Sequence, residues 1–334
     1  MPAVLSLLDL APIPPGGNAR DSFAASVAMA RAAERAGYRR VWYAEHHNMP
    51  SIASSATSVL IGHIAAHTET IRLGAGGIML PNHSPLVIAE QFGTLGTLHP
   101  GRIDLGLGRA PGSDQNTMLA LRRNPASADT FPDDVLELQG YLTGRSRIPG
   151  IEAIPGQGSN VPLYILGSSL YGARLAAALG LPYAFASHFA PAALEAALAA
   201  YRAEFQPSEQ LERPYAMAGV NVLAVDDPDD AQTQLRSVRR ARAIGLFGRR
   251  FGLTSLDASD EQADEILGAG AAAHVDEMLT HTAAGTPGEI RGFLEEFLRL
   301  TDADELITVH PAPDADDRLR SLTLLAGAME PAAA

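Results

Sequence analysis

The sequence predicts an α/β fold, and specifically a (β/α)8 TIM barrel with insertion segments. Short apolar runs alternate with longer Ala/Leu-rich amphipathic segments, which is the pattern of strands that are each followed by a helix. The strand segments are continuously apolar, as parallel strands buried on both faces are. Eight such units favour a closed barrel, because the turn after the first strand, Asp9-Leu10-Ala11-Pro12, lacks the Gly-rich fingerprint expected of an open dinucleotide-binding sheet.

The apolar runs predict strands at 4–10, 40–44, 71–75, 103–107, 163–166, 183–186, 215–225 and 305–309. Amphipathic periodicity predicts helices at 22–36, 54–67, 85–98, 134–142, 168–179, 191–205, 228–244, 286–300 and 316–329. Local signals support several boundaries. Asp21 is placed to cap the first helix, Gly37 follows its end, and Pro85 stands in the first turn of the third helix.

Three segments interrupt this alternation. The connection 108–132 is long and polar, so it is functional, mobile or partly helical. Residues 144–160 are rich in Gly and Pro, which is typical of an extended loop or a hairpin. The region 246–285 has the character of an insertion and includes an Ala-rich helix near 260–273. We therefore predict one barrel domain over 1–334, with an insertion at 246–285.

The composition excludes several classes of chemistry. The chain has no cysteine and no lysine, so all 25 residues in the lysine-plus-arginine count are arginine. A disulfide framework, a thiol nucleophile, a zinc–thiolate site, a Schiff base and a P-loop lysine are therefore excluded. The net charge of −13 argues against binding to nucleic acid or to an anionic membrane.

The N-terminal region and the apolar runs give an expectation about location. No basic stretch precedes the first apolar run, so no secretory signal is expected. No apolar run reaches about 18 residues, so no membrane span is expected. The cytoplasm is the expected compartment.

Polar residues follow the predicted strands at one end only. The chemistry of such barrels lies at the C-terminal ends of the strands. The residues that stand there are Glu45-His46-His47-Asn48, Gly76-Gly77 with Asn82-His83, Gly108-Arg109, Gly167-Ser168-Ser169, Ser187-His188 and His310. The opposite ends carry turn residues such as Gly37, Gly101 and Gly180. This asymmetry indicates an enzyme, and His47, Asn82, His83 and His188 are expected to line its substrate pocket.

A phosphate site is one interpretation of the fifth strand and the helix after it. Free N–H groups at a helix N-terminus favour an anion, and the Ser168 and Ser169 hydroxyls add donors. Gly167 permits close backbone approach, and Arg109 could add a bidentate contact. The alternative is that Ser168 only caps the helix.

The segment Glu45-His46-His47 allows three interpretations. A metal site is disfavoured, since adjacent residues of an extended segment point to opposite faces and no further ligand spacing is nearby, so we predict none. One histidine could be structural and bonded to a carboxylate such as Glu45. One of the pair could instead face the cavity as a proton donor, an acceptor or a polar wall.

The two glycines at the end of the third strand are open to two interpretations. Gly76-Gly77 could form only a tight turn. The pair could also leave room for a flat aromatic ring to pack on the backbone.

These motifs together resemble a known family. The chain is similar to the bacterial luciferase-like flavin-dependent monooxygenases, a group of (β/α)8 barrels. Within that group it most resembles the single-chain luciferase-like oxidoreductases. The resemblance covers most of the chain and rests on the segments 5–9, 44–48, 73–81, 101–112, 166–169, 179–182 and 285–287.

The resemblance implies reduced FMN as the cofactor, supplied by a separate flavin reductase, or the deazaflavin F420 as in some relatives. Arg109, Ser168 and Ser169 match positions that hold the flavin phosphate. Tyr171 and Gly172 lie in the same helix turn and are expected to bind the cofactor with them.

Further roles follow from the resemblance. Gly76-Gly77 matches a place where family members can have a non-proline cis peptide beneath the flavin ring. His46 matches the catalytic histidine of luciferases. Gly167 stands where luciferases carry a glutamate that contacts the cofactor, so that side-chain contact is absent here. The 246–285 segment corresponds to a mobile lid, and a homodimer is expected.

The reaction implied by the resemblance is a monooxygenation. O₂ adds to reduced FMN to give a C4a-peroxyflavin, which oxidises a small aldehyde- or ketone-like substrate. Alternatives are hydride transfer with F420 and no oxygen, a flavin-binding protein without turnover, and a metal-dependent barrel hydrolase.

Overall fold

The computed structural model describes residues 3–14, 16–110, 115–247 and 260–330. Nine parallel strands form one sheet, and eight of them close into a ring in the order β1-β2-β3-β4-β5-β6-β7-β9. The predicted (β/α)8 barrel is therefore confirmed. The strands are Leu5–Asp9 (β1), Arg40–Tyr43 (β2), Arg72–Met79 (β3), Ile103–Gly108 (β4), Leu163–Gly167 (β5), Tyr183–Phe185 (β6), Ala216–Ala224 (β7), Thr282–Gly285 (β8) and Glu305–Val309 (β9).

Helices follow the strands and cover the outside of the ring. They are Ala19–Arg35 (α1), Thr57–Ala65 (α2), Pro85–Leu98 (α3), Gln115–Ala120 (α4), Phe131–Thr143 (α5), Leu170–Leu179 (α6), Leu194–Glu204 (α7), Pro228–Phe247 (α8), Asp260–Met278 (α9), Pro287–Thr301 (α10) and Ala315–Met329 (α11). None of the helices in the described ranges combines the length and apolar character that a membrane crossing needs.

Several helix starts differ from the predicted ones, and two of them have a clear physical cause. Asn18, not Asp21, caps α1, because its side chain accepts hydrogen bonds from the N–H groups of the first turn, while Asp21 completes the capping box. The helix predicted at 54–67 begins only at Thr57. The Ser54 hydroxyl donates to the Leu10 carbonyl at 3.1 Å, which ties this residue to the end of β1 instead.

The eight predicted strands include none within 246–285, but the structure has a strand at the end of that region. Thr282–Gly285 forms β8, which pairs with β7 from Asn221 to Ala224. Its Thr-Ala-Ala-Gly sequence is too short and too weakly apolar to show a strand by itself, so the pairing decides the structure. The predicted Ala-rich helix is part of α9, and 248–259 lie outside the described residues.

The structure also decides between the alternatives for the two other irregular segments. The part of 108–132 that is described contains α4, a 3₁₀ turn at Pro125–Ala128 and the start of α5, so the partly helical alternative is correct there. Residues 144–160 form a loop without a strand. That loop packs on α3 through glycine, since a Cβ at Gly93 would lie 2.1 Å from the Gly156 Cα.

The barrel has an interior cluster and an outer layer. Along β7, Met217 packs inside the ring, whereas Ala216 and Ala218 face the helices. The interior cluster consists of Leu8, Trp42, Ala44, Tyr164, Ala184, Met217, Ile307 and Val309. Most of the buried apolar surface lies in the outer layer, which holds strands and helices together.

Ionic side chains close the barrel at the N-terminal ends of the strands. Arg40, at the start of β2, is 3% exposed and lies 2.8 Å from Asp104 and 2.9 Å from Glu305. Tyr164 accepts a hydrogen bond from Arg40 at 2.7 Å, and Tyr215 donates one to Glu305 at 2.7 Å. We call Arg40, Asp104 and Glu305 the ionic plug. None of its three residues is predicted from the sequence as part of a cluster.

Candidate active site

The C-terminal mouth of the barrel holds most of the predicted site residues. After β4, the exposed Arg109 guanidinium stacks on the Tyr171 ring, with 4.1 Å from its central carbon to the ring centroid. Tyr171 belongs to the first turn of α6, so β4 and α6 meet here. No acid is paired with Arg109 among the residues that the structure describes. Its charge is therefore available to a ligand.

The start of α6 differs slightly from the prediction. The helix begins at Leu170, so Ser169 and not Ser168 is the capping residue. The Ser169 side chain makes no capping hydrogen bond, and both serines are exposed. The Tyr183 hydroxyl donates to the Ser169 carbonyl at 3.1 Å, which fixes the loop. The first-turn N–H groups of α6 are thus left for an anion.

Gly167 and Gly172 border this helix start. A Cβ at Gly167 would meet nothing closer than the Tyr183 hydroxyl, at 3.4 Å. At Gly172 the nearest atom would be a Tyr183 ring carbon, at 3.3 Å. The protein's own packing therefore makes little demand for glycine at position 167, and the space beside it is open.

The Gly76–Gly77 peptide bond is cis, which the resemblance allowed. Both residues are buried in β3, where the register to β4 shifts between Ala75 and Ile78. A Cβ at Gly76 would lie 2.8 Å from a Leu8 methyl carbon, and one at Gly77 would lie 2.8 Å from the Gly106 carbonyl oxygen. Barrel packing alone thus requires these glycines, and their contact with a flavin stays a prediction.

Three of the predicted pocket residues converge on one buried carboxylate. Glu45 is 1% exposed and accepts hydrogen bonds from His47 at 2.8 Å, from His83 at 2.9 Å and from Asn82 at 3.4 Å. The Met79 N–H donates to its second oxygen at 3.1 Å. We call this group the Glu45 hub. It joins the end of β2 to the end of β3.

The hub holds Glu45 ionised. Burial alone would raise the pKa of Glu45, but the hydrogen bonds from His47 and His83 lower it to about 2. The bond to Glu45 raises the pKa of His47 in turn. Of the alternatives for Glu45-His46-His47, the structural histidine bonded to a carboxylate is therefore realised by His47. His46 is the member of the pair that the hub leaves out.

Glu45, His47 and His83 also form a group that could bind a metal. One ligand atom from each lies within 4.8 Å of the others. A metal, however, needs imidazole lone pairs, and here both Nε2 atoms face the Glu45 carboxylate at hydrogen-bonding distance. Hydrogen bonding explains the arrangement without an ion.

His46 and His188 approach each other across the mouth. They follow β2 and β6, which lie opposite each other in the ring of eight. Burial, the charge of Arg242 and the charge of His46 lower the pKa of His188 to about 3, so its ring is neutral at pH 7. The Nδ1 atom of His188 is buried over Gly219, where a Cβ would lie only 2.4 Å from it.

Two further residues of the mouth are not predicted from the sequence. Asn221, an inward-facing residue of β7, donates to the His188 carbonyl at 2.7 Å. Arg242 of α8 donates to the same carbonyl and to the Asn221 side-chain oxygen, both at 3.1 Å. Asn221 could have been found, since it is a polar residue within the apolar run 215–225. Arg242 gives no such signal among the other arginines of α8.

His310 follows the last strand but does not reach the mouth. Its ring faces outward, with Nδ1 at 2.8 Å from the Ser321 hydroxyl of α11 and Nε2 at 3.3 Å from Thr308. Residues alternate between the two faces of a strand, and His310 falls on the outer one. Its place after a strand end therefore does not make it a site residue.

Comparison with known proteins gives the chain its family. The model of the luciferase-like monooxygenase family matches residues 4–304. A protein of Escherichia coli strain K12 named luciferase-like monooxygenase is 52% identical over 320 residues, which cover 96% of this chain and 95% of that protein. The N-acetyl-S-alkylcysteine monooxygenase of Bacillus subtilis strain 168 is 33% identical over 346 residues, which cover 97% and 98%.

Solved structures agree. The crystal structure of apo-MsnO8 has a TM-score of 0.86 and 34% identity, and the match covers 98% of both chains. The fold is shared at 16% identity by two others. One is the FMN complex of the oxygenating constituent of 3,6-diketocamphane monooxygenase from Pseudomonas putida (TM-score 0.72, covering 98% and 97%), and the other is an F420-dependent secondary alcohol dehydrogenase (0.71, covering 99% and 100%). The chain belongs to the luciferase-like monooxygenase family.

Proposed function

We propose that this protein is a flavin-dependent monooxygenase that uses reduced FMN and O₂ to oxidise a small organic substrate. The observation that carries the proposal is the position of Arg109, which stacks on Tyr171 and has no acidic partner among the described residues, beside an N-terminus of α6 that no side chain caps. When bound, reduced FMN supplies the electrons that activate O₂. A separate flavin reductase would supply the reduced cofactor, and the chain would act as a homodimer and as a single barrel domain.

The donor set fits a phosphate monoester. A phosphate needs several donors and a positive charge, and the mouth offers a guanidinium, two exposed hydroxyls and the free N–H groups of a helix start. Arg109, Ser168 and Ser169 would hold the phosphate. Gly167 and Gly172 would let the ligand approach the backbone, with Tyr171 keeping the guanidinium in place.

The other cofactor and substrate contacts follow from position. The isoalloxazine ring would extend from the phosphate site toward Gly76 and Gly77, with His46 beside it. His46 would hold or deliver a proton at an imidazole nitrogen facing the reacting atoms. The 246–285 segment would act as a lid that keeps water out.

The phosphate assignment is tested by measuring FMN affinity from the quenching of FMN fluorescence. Arg109→Ala should weaken FMN binding by about ten- to a hundredfold, since a hydrogen bond to a charged group contributes about 1.5–3 kcal/mol. Riboflavin lacks the phosphate and should bind both proteins equally. Arg236→Ala, an exposed change on α8, is the matched control. Unchanged FMN affinity in Arg109→Ala would refute the assignment.

The role of His46 is tested by turnover. With a flavin reductase and NADH, His46→Ala should oxidise substrate at least about a hundredfold more slowly, the usual contribution of a positioned acid or base. Its FMN affinity should stay close to that of the wild type. A variant that turns over at the wild-type rate would remove His46 from the mechanism.

Cofactor titrations separate the alternatives. Absorbance titrations with FMN and with F420 show which one binds, and tight F420 binding without FMN binding would favour hydride transfer. FMN binding without oxygen uptake, across a broad substrate panel, would favour a flavin-binding protein without turnover.

A further inference from the structure

Arg242 brings a positive charge to the mouth without a matching acid. Its guanidinium bonds to three neutral oxygens, those of the His188 carbonyl, the Asn221 amide and the Met278 carbonyl. Within the described ranges, no carboxylate forms an ion pair with it. A half-buried cation among neutral groups is costly unless an anion completes its surroundings.

Some donors of Arg242 remain unused. A guanidinium has five N–H groups, and the bonds found here use one on Nη1 and two on Nη2. The Nε–H and the second Nη1–H have no acceptor within the part of the chain that the structure describes. These two donors point in different directions, because Nε–H shares its edge of the guanidinium with Nη2, whose hydrogens are both used. Each can give a single charge-assisted hydrogen bond to an anion.

The contacts of Arg242 place its guanidinium at the mouth of the barrel. His188 follows β6, and Asn221 faces the inside of β7, so the guanidinium lies over the C-terminal ends of these two strands. His46 stands across the mouth from His188, near enough for its charge to lower the pKa of His188. Glu45, a carboxylate at this end of the barrel, is bonded to His47 and His83 and forms no ion pair with Arg242 among the described residues.

We propose that Arg242 binds a carboxylate of the organic substrate, which makes the substrate of this protein a small organic acid. The carboxylate accepts from one of the unused N–H groups of the guanidinium, and the rest of the molecule reaches across the mouth toward His46. This inference rests on the proposed function, because it assumes that the mouth is where the substrate is oxidised.

Arg242 also anchors α8 to the barrel through its bonds to His188 and Asn221. An anchor and a ligand site predict different results. Loss of an anchor lowers stability and leaves ligand selectivity unchanged. Loss of a carboxylate contact removes the preference for acids over matched neutral compounds.

The test is isothermal titration calorimetry on the FMN-loaded protein. The probes are acetate, hexanoate and benzoate, each compared with its amide. We expect at least one acid to bind at least tenfold more tightly than its amide. Arg242→Gln should abolish that preference, Arg242→Lys should keep part of it because the charge remains, and Arg236→Gln should keep all of it.

Several outcomes would overturn the proposal. These are equal binding of acids and amides to the wild type, no binding of any acid, and an unchanged preference in Arg242→Gln, with or without a lower melting temperature. Repeating the titration without flavin distinguishes a failure of this inference from a failure of the proposed function. FMN binding without acid preference would reject this inference alone, whereas acid preference without FMN binding would reject the proposed cofactor alone.

Discussion

The two ends of the barrel use arginine in opposite ways. At the N-terminal end, Arg40 is buried and lies within 2.9 Å of both Asp104 and Glu305. At the mouth, Arg109 and Arg242 have no acid paired with them among the described residues. In a chain without lysine, one side-chain type therefore closes one end and leaves positive charge at the other.

We expect this difference to separate structural arginines from arginines that bind a ligand. A buried pair cannot lose one partner without leaving an uncompensated charge, so the ionic plug is tied to stability. An exposed arginine contributes little to stability, so it is free to be selected for a ligand. The partners of an arginine thus indicate its role better than its position in the sequence does.

The largest expected effect comes from the plug. Arg40→Ala should lower the free energy of unfolding by about 3–5 kcal/mol, because Glu305 would remain buried without a cation and Asp104 would keep only the partly exposed Arg72. Arg109→Ala should change it by less than about 1 kcal/mol, the scale of an exposed cation–π contact. Chemical denaturation of both variants measures the contrast, and equal losses would break the comparison.

Acid should weaken the mouth through the Glu45 hub. Burial alone would raise the pKa of Glu45, but the hydrogen bonds lower it to about 2. The ionised hub therefore stabilises the fold at pH values above 4.5, the ordinary pKa of this group. That stability, about 3 kcal/mol, is lost as pH falls from about 5 toward 2. Glu45→Gln should flatten the stability–pH curve in this range.

The matched control for that experiment is Glu209→Gln. Glu209 is exposed and pairs with Arg145 at the surface, so the variant should follow the wild-type curve. If the stability–pH curve of Glu45→Gln also matches that of the wild type, the hub does not govern the response to acid.

A glycine change tests the fit of His188. Gly219→Ala should cost about 1–3 kcal/mol, because its Cβ would lie 2.4 Å from the buried Nδ1 of His188. Gly167→Ala is the control, since no atom would lie closer than 3.4 Å. Denaturation measures both, and FMN affinity should fall in Gly167→Ala if a ligand occupies that space. Equal stability of the two variants would contradict the packing described here.

The smallest effect concerns Tyr171. Removing the ring in Tyr171→Ala should weaken FMN binding by about two- to fivefold, since an exposed cation–π contact contributes about 0.5–1 kcal/mol to holding Arg109. Tyr171→Phe keeps the ring and should bind FMN like the wild type. Fluorescence quenching distinguishes the two, and identical affinities for all three proteins would remove Tyr171 from the site.

Much of the barrel follows from the sequence, because eight apolar runs with amphipathic helices between them leave few other folds. The strand β8 does not, since its four small residues form a strand only by pairing with the upper half of β7. The capping of α1 shows the same limit at short range. Asn18 and Asp21 are both good caps, and only the backbone decides between them.

Within the site, position after a strand predicted which residues come near the mouth but not which way they face. His47 and His83 turn to Glu45, and His310 turns outward to Ser321, although all three follow strand ends. Arg242 was missed because a long side chain on a distant helix leaves no local pattern. Contacts between remote segments decide these details.

The position of β8 has a consequence for how such a protein can change. The ring closes through β6, β7 and β9, and β8 adds to the free upper edge of β7 without completing that closure. The elements α8, α9 and β8 are therefore additions to a ring of strands that closes without them. Exchanging them would alter the wall above His188 while the strands that carry Arg109 and Glu45 keep their register, so a new specificity would not require a new fold.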